Sequence, residues 1–173
     1  MSAGPKESAL LVPLPETESL VAELRLAHDP AASWGIPAHV TLLYPFAEPS
    51  AIGEEMLGDL RTIFAASTPF HVRFLQTGWF GEQVLYLAPE PAVPFVWMTE
   101  RLAARFPAYT PYGGAFDEIV PHLTVAMLGT AEMETHLREG LPLETAANEV
   151  FLMVEGADDR WSILECFPLG RRG

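Results

Sequence analysis

Ile36-Pro37-Ala38-His39-Val40-Thr41 returns 83 residues later, in a chain of 173, as Ile119-Val120-Pro121-His122-Leu123-Thr124. Each copy has a proline, which cannot donate to a ladder and so marks a strand entry, then His-x-Thr, then an apolar run. A repeat at about half the chain length, with helical patterns before and after each copy, predicts two similar lobes that each donate one central strand. The tripeptide alone is weak evidence. Its weight comes from the proline, the strand context and the spacing. His28, His71 and His136 lack the pattern, being followed two places on by Pro30, Arg73 and Arg138.

The elements around the repeat read as follows. Residues 9–12 form a strand and 16–28 a helix with Leu20, Val21, Leu24 and Ala27 on one face. His39–Phe46 is a strand. A helix capped by Ser50 carries Met56, Leu57, Leu60, Ile63 and Phe64 as its apolar stripe, with Glu54 and Glu55 favouring its dipole. Strands at 70–76 and 83–88 join near Gly78 and Gly81 as a hairpin, and a helix follows over about 94–106. Residues 107–121 have no period and many turn formers, which marks a long loop of the kind that carries function. His122–Leu128 is a strand, Thr130 caps a helix ending at Gly140, and strands at 149–155 and 161–167 close the chain as a hairpin. Hairpins mixed with single helices indicate an α+β fold, with antiparallel-rich sheets about a central groove and helices outside. No linker divides the sequence, so residues 1–173 read as one domain.

Composition narrows the function. Apolar residues make up 49% and charged residues 19%, the balance of a compact folded chain. No apolar run is long enough to cross a bilayer, and the N-terminus lacks a basic region followed by an apolar core, so the expected address is the cytoplasm. The formal charge is −13, with only 10 Lys and Arg. Gripping a long nucleic acid requires a stripe of basic side chains that displaces counterions, and these are scattered. A small anion in a local pocket stays open. One cysteine, Cys166, excludes an internal disulfide and a multi-cysteine zinc site, and reads as a buried apolar residue beside Phe167.

Side chains two apart on a strand share a face, so His39 projects with Thr41 and His122 with Thr124. If the strands are neighbours, two imidazoles and two hydroxyls line one cleft. One neutral and one protonated imidazole supply a general base and a general acid for displacement at phosphorus. The hydroxyls and imidazole N–H groups donate to the non-bridging oxygens as charge builds there, and no metal or cofactor is required. The plain alternative is a pair of half-buried strand histidines, each bonded to backbone.

His39-Val40-Thr41 and His122-Leu123-Thr124 resemble the paired motifs of the 2H phosphoesterase superfamily, which includes the 2′-5′ RNA ligase and RNA 2′,3′-cyclic phosphodiesterase group. The likeness runs from the strand near Leu10 to the closing segment at Trp161. It implies a bilobal duplication with the motif strands meeting in a groove. It also implies that His39 and His122 are the catalytic pair and that Thr41 and Thr124 hold the phosphate. The implied reaction is hydrolysis of a 2′,3′-cyclic phosphate to a 2′-phosphate, with His122 activating water and His39 protonating the leaving oxygen, or the reverse ligation to a 2′-5′ bond. The family's bacterial members often carry a basic residue soon after the second motif, where this chain has Val125-Ala126-Met127-Leu128. The expected substrate is therefore a small nucleotide or a short RNA end. No long nucleic acid and no membrane is expected as a partner, and the chain is expected to be a monomer.

Tyr112, Phe116 and Trp79 are candidate substrate contacts, as aromatics suited to stacking on a base. Tyr44 falls on the strand face opposite His39, Phe80 shares the hairpin tip with Trp79, and Trp161 reads as a packing anchor. Arg73 and Arg160 are conceivable phosphate ligands, but a lone arginine is usually a solvated surface group, and Gly113–Gly114 fits a lid hinge or a turn. Two other functions remain open. One is a nucleotide-binding module with the same groove and no turnover. The other is a metal-dependent hydrolase using the histidines as ligands, which the absence of a His-Glu-x-x-His motif disfavours.

Overall fold

The computed structural model describes residues 6–114 and 118–170. In chain order its elements are β1 (Ser8–Pro13), α1 (Glu18–His28), α2 (Pro30–Ser33), β2 (His39–Leu43), α3 (Glu54–Ala65), β3 (Phe70–Phe80), β4 (Val84–Glu90), α4 (Val93–Arg105), β5 (Leu123–Ala126), α5 (Ala131–Glu139), β6 (Leu143–Ala147), β7 (Glu149–Glu155) and β8 (Trp161–Pro168). They form two four-stranded sheets, ordered β2-β1-β7-β8 and β5-β4-β3-β6. Every pairing is antiparallel. The fold is the α+β duplication expected from the repeat, but the two motif strands are not central: they occupy corresponding edges, one on each sheet.

The duplication is reciprocal. In each half a strand, a crossover helix and a motif strand make an antiparallel pair, β1–β2 and then β4–β5. After β2 the chain leaves for the second sheet at β3; after β5 it first adds β6 to that sheet, beside β3, and then returns to the first at β7. Helices cross over as well, α1 packing on β5 and α4 on β2. The two edges β2 and β5 lie against each other. One apolar core runs through both sheets, from Leu10, Val12, Val40 and Leu42 to Val72, Phe74, Leu85, Leu87, Leu123 and Val125. A smaller cluster of Ala9, Leu11, Ile36, Met153 and Trp161 covers the other face of the first sheet. Alternation along β1 divides its residues between the two.

The register repeats in detail. Leu11 faces Thr41 and Leu10 faces Leu43, so Leu42 is skipped. Tyr86 faces Thr124 and Leu85 faces Ala126, so Val125 is skipped. Both irregularities fall on the third residue after a motif histidine. Bulges of this kind turn a strand and re-aim its side chains, and they concentrate beside functional sites. The Leu42 carbonyl accepts a 2.8 Å bond from the hydroxyl of Thr99, a buried residue of α4. That bond satisfies a buried acceptor and holds α4 against β2.

Several local expectations change. α1 buries Val21 and, unexpectedly, Arg25, while Ala27 is exposed. The helix after Ser50 begins at Glu54 with Gly53 at its cap, because Pro49–Ala51 forms a separate 3-10 turn; Leu60, Ile63 and Phe64 are buried as expected. β3 runs on through Phe80, and Gly81, at φ +62°, makes the turn into β4. The hydroxyl of Thr130 caps α5 by accepting from the Met133 amide at 3.2 Å. Cys166 is not buried: it is exposed on β8, and its thiol donates to Glu149 at 2.8 Å. Loss of solvation first, and that hydrogen bond second, push the thiol up to about 12. No described helix is long and apolar enough to cross a membrane.

Candidate active site

The Nδ1 of His39 lies 2.7 Å from the Pro37 carbonyl, and the Nδ1 of His122 lies 2.7 Å from the Val120 carbonyl. A carbonyl only accepts, so Nδ1 carries the hydrogen in both rings, and Nε2 is the accepting nitrogen of each neutral imidazole. The carbonyl belongs in each case to the residue two places before the histidine. The strand entry itself thus fixes the tautomer and the ring orientation. Thr41 Oγ1 stands 3.1 Å from His39 Nε2, within reach to donate to the neutral ring or accept from the charged one.

Both imidazoles are half-buried, and burial is the first reason that each titrates below the ordinary histidine value. Loss of solvation pushes His39 down to about 4 against the pull of the Pro37 carbonyl, with Arg25 and then His122 adding positive charge nearby. His122 is lowered for the same primary cause, opposed by the Val120 carbonyl. The charge of one ring is felt by the other, as the packing of β2 against β5 requires.

Arg25 stands behind His39. It is buried, pairs with Asp29 at 3.1 Å, and donates from Nη2 to the Ile36 carbonyl at 3.1 Å. Asp29 in turn accepts from the Ala31 amide at the start of α2. Burial raises the Asp29 pKa, and the Arg25 charge opposes that rise. The pair ties α1 and α2 to the backbone just before Pro37, whose carbonyl orients the His39 ring. An arginine in the middle of an amphipathic helix gives no such signal in the sequence, although its i,i+4 partner Asp29 could have suggested it.

The surroundings of the two rings differ. Phe80 meets His122 edge-on at 4.6 Å between centroids, Tyr86 meets it at 5.5 Å, and Phe80 stacks on Tyr86 at 4.4 Å. Gly78 makes room for this, since a Cβ there would sit 2.4 Å from the Tyr86 ring. His39 and Thr41 instead border an open pocket of about 160 Å³ lined by Leu11, Trp34, Ile36, Tyr44 and Trp161 among others. Tyr44 therefore shares the pocket with His39 rather than turning away: β2 ends at Leu43, so strand alternation does not extend to it. Its hydroxyl donates to Glu7.

The remaining candidates scatter. Trp79 occupies the opposite face of β3 from Phe80, with its ring against Gly129 and toward Glu134 of α5, and does not join the histidines. Phe46 is buried against Phe106 and Tyr109. The side chain of Tyr112 and the whole of Phe116 lie outside the described residues, and Gly114 takes a left-handed φ of +81°. Arg73 is exposed on β3 beside Glu144 and Glu90, and Arg160 donates to the Ser33 carbonyl at 3.1 Å. Tyr86 had no signal in the sequence, because its relation to Thr124 depends on register. Among the described residues no group of three or more His, Cys, Asp or Glu side chains is placed to hold a metal ion.

Comparison with known proteins finds relatives that span nearly the whole chain. A protein of Bacillus pumilus named "Putative phosphoesterase" is 26% identical over 97% of this chain and 99% of its own length. A similarly named protein of Oceanobacillus iheyensis is 27% identical over 86% and 88%. Among solved structures, TT0787 of Thermus thermophilus superposes with a TM-score of 0.59 at 22% identity, covering 96% of this chain and all of that one. E. coli LigT complexed with 3′-AMP gives 0.58 at 20% identity over 96% and 99%. LigT has also been solved with NADP+. These structural likenesses, all below 25% identity, concern the fold. The model of the 2′-5′ RNA ligase superfamily matches residues 13–159, both motifs included, and the chain belongs to that superfamily.

Proposed function

We propose that the protein is a metal-independent phosphodiesterase that hydrolyses 2′,3′-cyclic phosphates of small nucleotides or short RNA ends to 2′-phosphates, with His39 and His122 as its acid–base pair. The observation that carries this reading is the matched geometry of the two rings. Each presents its Nε2 from an adjacent sheet edge, with Nδ1 pinned to the carbonyl two residues earlier. A structural histidine needs one satisfied nitrogen, and nothing in packing alone asks for the same tautomer and the same threonine twice.

In the reaction His122 Nε2 takes a proton from water as its oxygen attacks phosphorus. The bond from phosphorus to the 3′-oxygen breaks, and that oxygen takes the proton from His39 Nε2. The products are a 2′-phosphomonoester and a free 3′-hydroxyl, with the proton of the pair moved from one ring to the other. Thr41 and Thr124 donate to the non-bridging oxygens, where charge accumulates. The phosphate anion itself favours the charged form of His39, which burial otherwise suppresses. With a ribose 5′-hydroxyl in place of water, the same steps form a 2′-5′ linkage, and run backwards they cleave one to the cyclic phosphate.

The charge of −13 and the lack of a basic residue after the second motif favour small substrates. The nucleotide ligands named for LigT support a nucleotide in this groove. Incubation with nucleoside 2′,3′-cyclic phosphates after metal removal tests the reading: a 2′-phosphate product supports it. Binding of nucleotides without turnover of any cyclic phosphate would replace it with a binding module.

A further inference from the structure

Ile36–Ala38, the segment that enters β2, lies beyond the pairing of Pro13 with His39 at which the β1–β2 ladder ends. Its backbone groups therefore need partners of their own. The Ile36 amide donates to the Ala31 carbonyl at 3.0 Å, and the Ala38 carbonyl accepts from the Leu14 amide at 3.0 Å. Pro37 has no N–H to place. The groups on either side of it go to side chains of one helix, α1. Arg25 Nη2 donates to the Ile36 carbonyl at 3.1 Å, and a Glu18 carboxylate oxygen accepts from the Ala38 amide at 3.2 Å. Seven residues are about two helical turns, so both side chains leave the same face of α1.

The Glu18 bond bears directly on His39. The Ala38 N–H and the Pro37 carbonyl are the two ends of one planar trans peptide unit, and they point in opposite directions. A carboxylate that holds the N–H therefore fixes where the carbonyl points, and that carbonyl stands 2.7 Å from His39 Nδ1. The proline ring locks φ at Pro37, so little else in the segment can turn. Arg25 fixes the preceding peptide unit, and Asp29 holds Arg25 in turn at 3.1 Å. Arg25 is buried and Glu18 half-buried, where hydrogen bonds are stronger than in open water.

We propose that Glu18 and Arg25 are positioning residues for His39: they hold the Pro37 carbonyl in the direction that keeps a hydrogen on Nδ1 and leaves Nε2 as the nitrogen that gives and takes the proton. The inference rests on the phosphodiesterase reading for its reaction and adds what sets one member of the acid–base pair in place. Neither side chain acts on the substrate itself. With the clamp released, the Pro37 unit turns, the neutral ring divides between its two tautomers, and Nε2 loses its aim.

The test uses Glu18→Ala, Glu18→Gln and Arg25→Met/Asp29→Asn. Glutamine keeps an acceptor oxygen at the same reach, and the double variant removes both buried charges together. The readouts are nitrogen NMR shifts of the neutral His39 ring, kcat and KM with adenosine 2′,3′-cyclic phosphate, and urea unfolding. The wild-type ring is expected to show a protonated Nδ1 and a bare Nε2. Glu18→Ala is expected to mix the tautomers and to lower kcat by up to about 10²-fold with KM close to wild type, and Glu18→Gln to restore both. The double variant is expected to show the same mixing and the same fall in kcat although its stability returns. Should Glu18→Ala or the double variant fail to fold, the other carries the same readings. A wild-type tautomer in the folded variants, or a kcat that follows stability alone, overturns the proposal and leaves the phosphodiesterase reading standing. If the wild-type protein turns over no cyclic phosphate, that reading fails and the nitrogen shifts decide the clamp. Mixed tautomers in Glu18→Ala then support it, and a wild-type tautomer overturns it.

Discussion

Leu42 and Val125 occupy one place in two copies: each is the third residue after a motif histidine, and each is passed over by the antiparallel register of its strand. The skip lets the His-x-Thr pair keep one face while the strand beyond bends back into the core. Two strands that arrive at the same irregularity from unlike sequences, Leu-Leu and Val-Ala, share a constraint stronger than packing. The acid–base reading supplies that constraint, and it makes predictions.

The pH dependence follows from the two lowered imidazoles. The active form of the free protein carries one proton on the pair. With His39 at about 4 and His122 also below 6.5, that form gains population as pH rises past the lower value and loses it as the last imidazolium proton leaves. The profile of kcat/KM is therefore expected to be a bell with its maximum on the acid side of pH 6.5. A bound phosphate anion raises both values, so the bell for kcat lies at higher pH. Parallel initial-rate profiles check both, and a kcat/KM that climbs steadily through about pH 8 contradicts the account.

Thr41→Val and Thr124→Val each remove a hydroxyl with little change of shape. A donor aimed at developing charge is worth about 10²-fold or more in kcat. Each substitution is expected to lower kcat by that order with thermal stability close to wild type, as steady-state kinetics and calorimetric melting read.

Arg25→Met leaves Asp29 buried without its partner. Breaking a buried pair on one side costs about 3–5 kcal/mol. Urea unfolding is expected to show a loss of that size. Arg25→Met/Asp29→Asn, which removes both charges, is expected to recover much of it.

Gly78→Ala drives a methyl into the Tyr86 ring, whose nearest atom would be 2.4 Å from the new Cβ. Overpacking of this kind costs about 1–3 kcal/mol. The ring is expected to tilt away from His122, with a loss of stability in that range and a shift of the His122 imidazole resonances in NMR spectra.

Much of this arrangement was legible in the sequence. The repeat pointed to the duplication and to two neighbouring motif strands, because periodicity and a proline-marked entry are local properties; that those strands lie at facing sheet edges rather than centrally depends on pairing between distant segments. β6 was not legible: Leu143-Glu144-Thr145-Ala146-Ala147 lacks the β-branched and aromatic alternation of a strand, and it exists because β3 offers a free edge. Arg25, Tyr86 and the pocket at Tyr44 depend on which side chains different elements bring together. Cys166 alternates with the buried Phe167 and so falls on the solvent side of β8, a matter of strand placement that composition does not reveal.

The central claim is that two imidazoles share one proton-transfer task. Its most direct test is turnover of adenosine 2′,3′-cyclic phosphate, in EDTA, by the wild-type protein, His39→Gln and His122→Gln, with circular dichroism to establish folding. General acid–base groups are worth about 10²–10⁴-fold each. The account predicts a 2′-phosphate product from the wild-type protein and a loss in that range in each folded variant; full activity in either variant would contradict it.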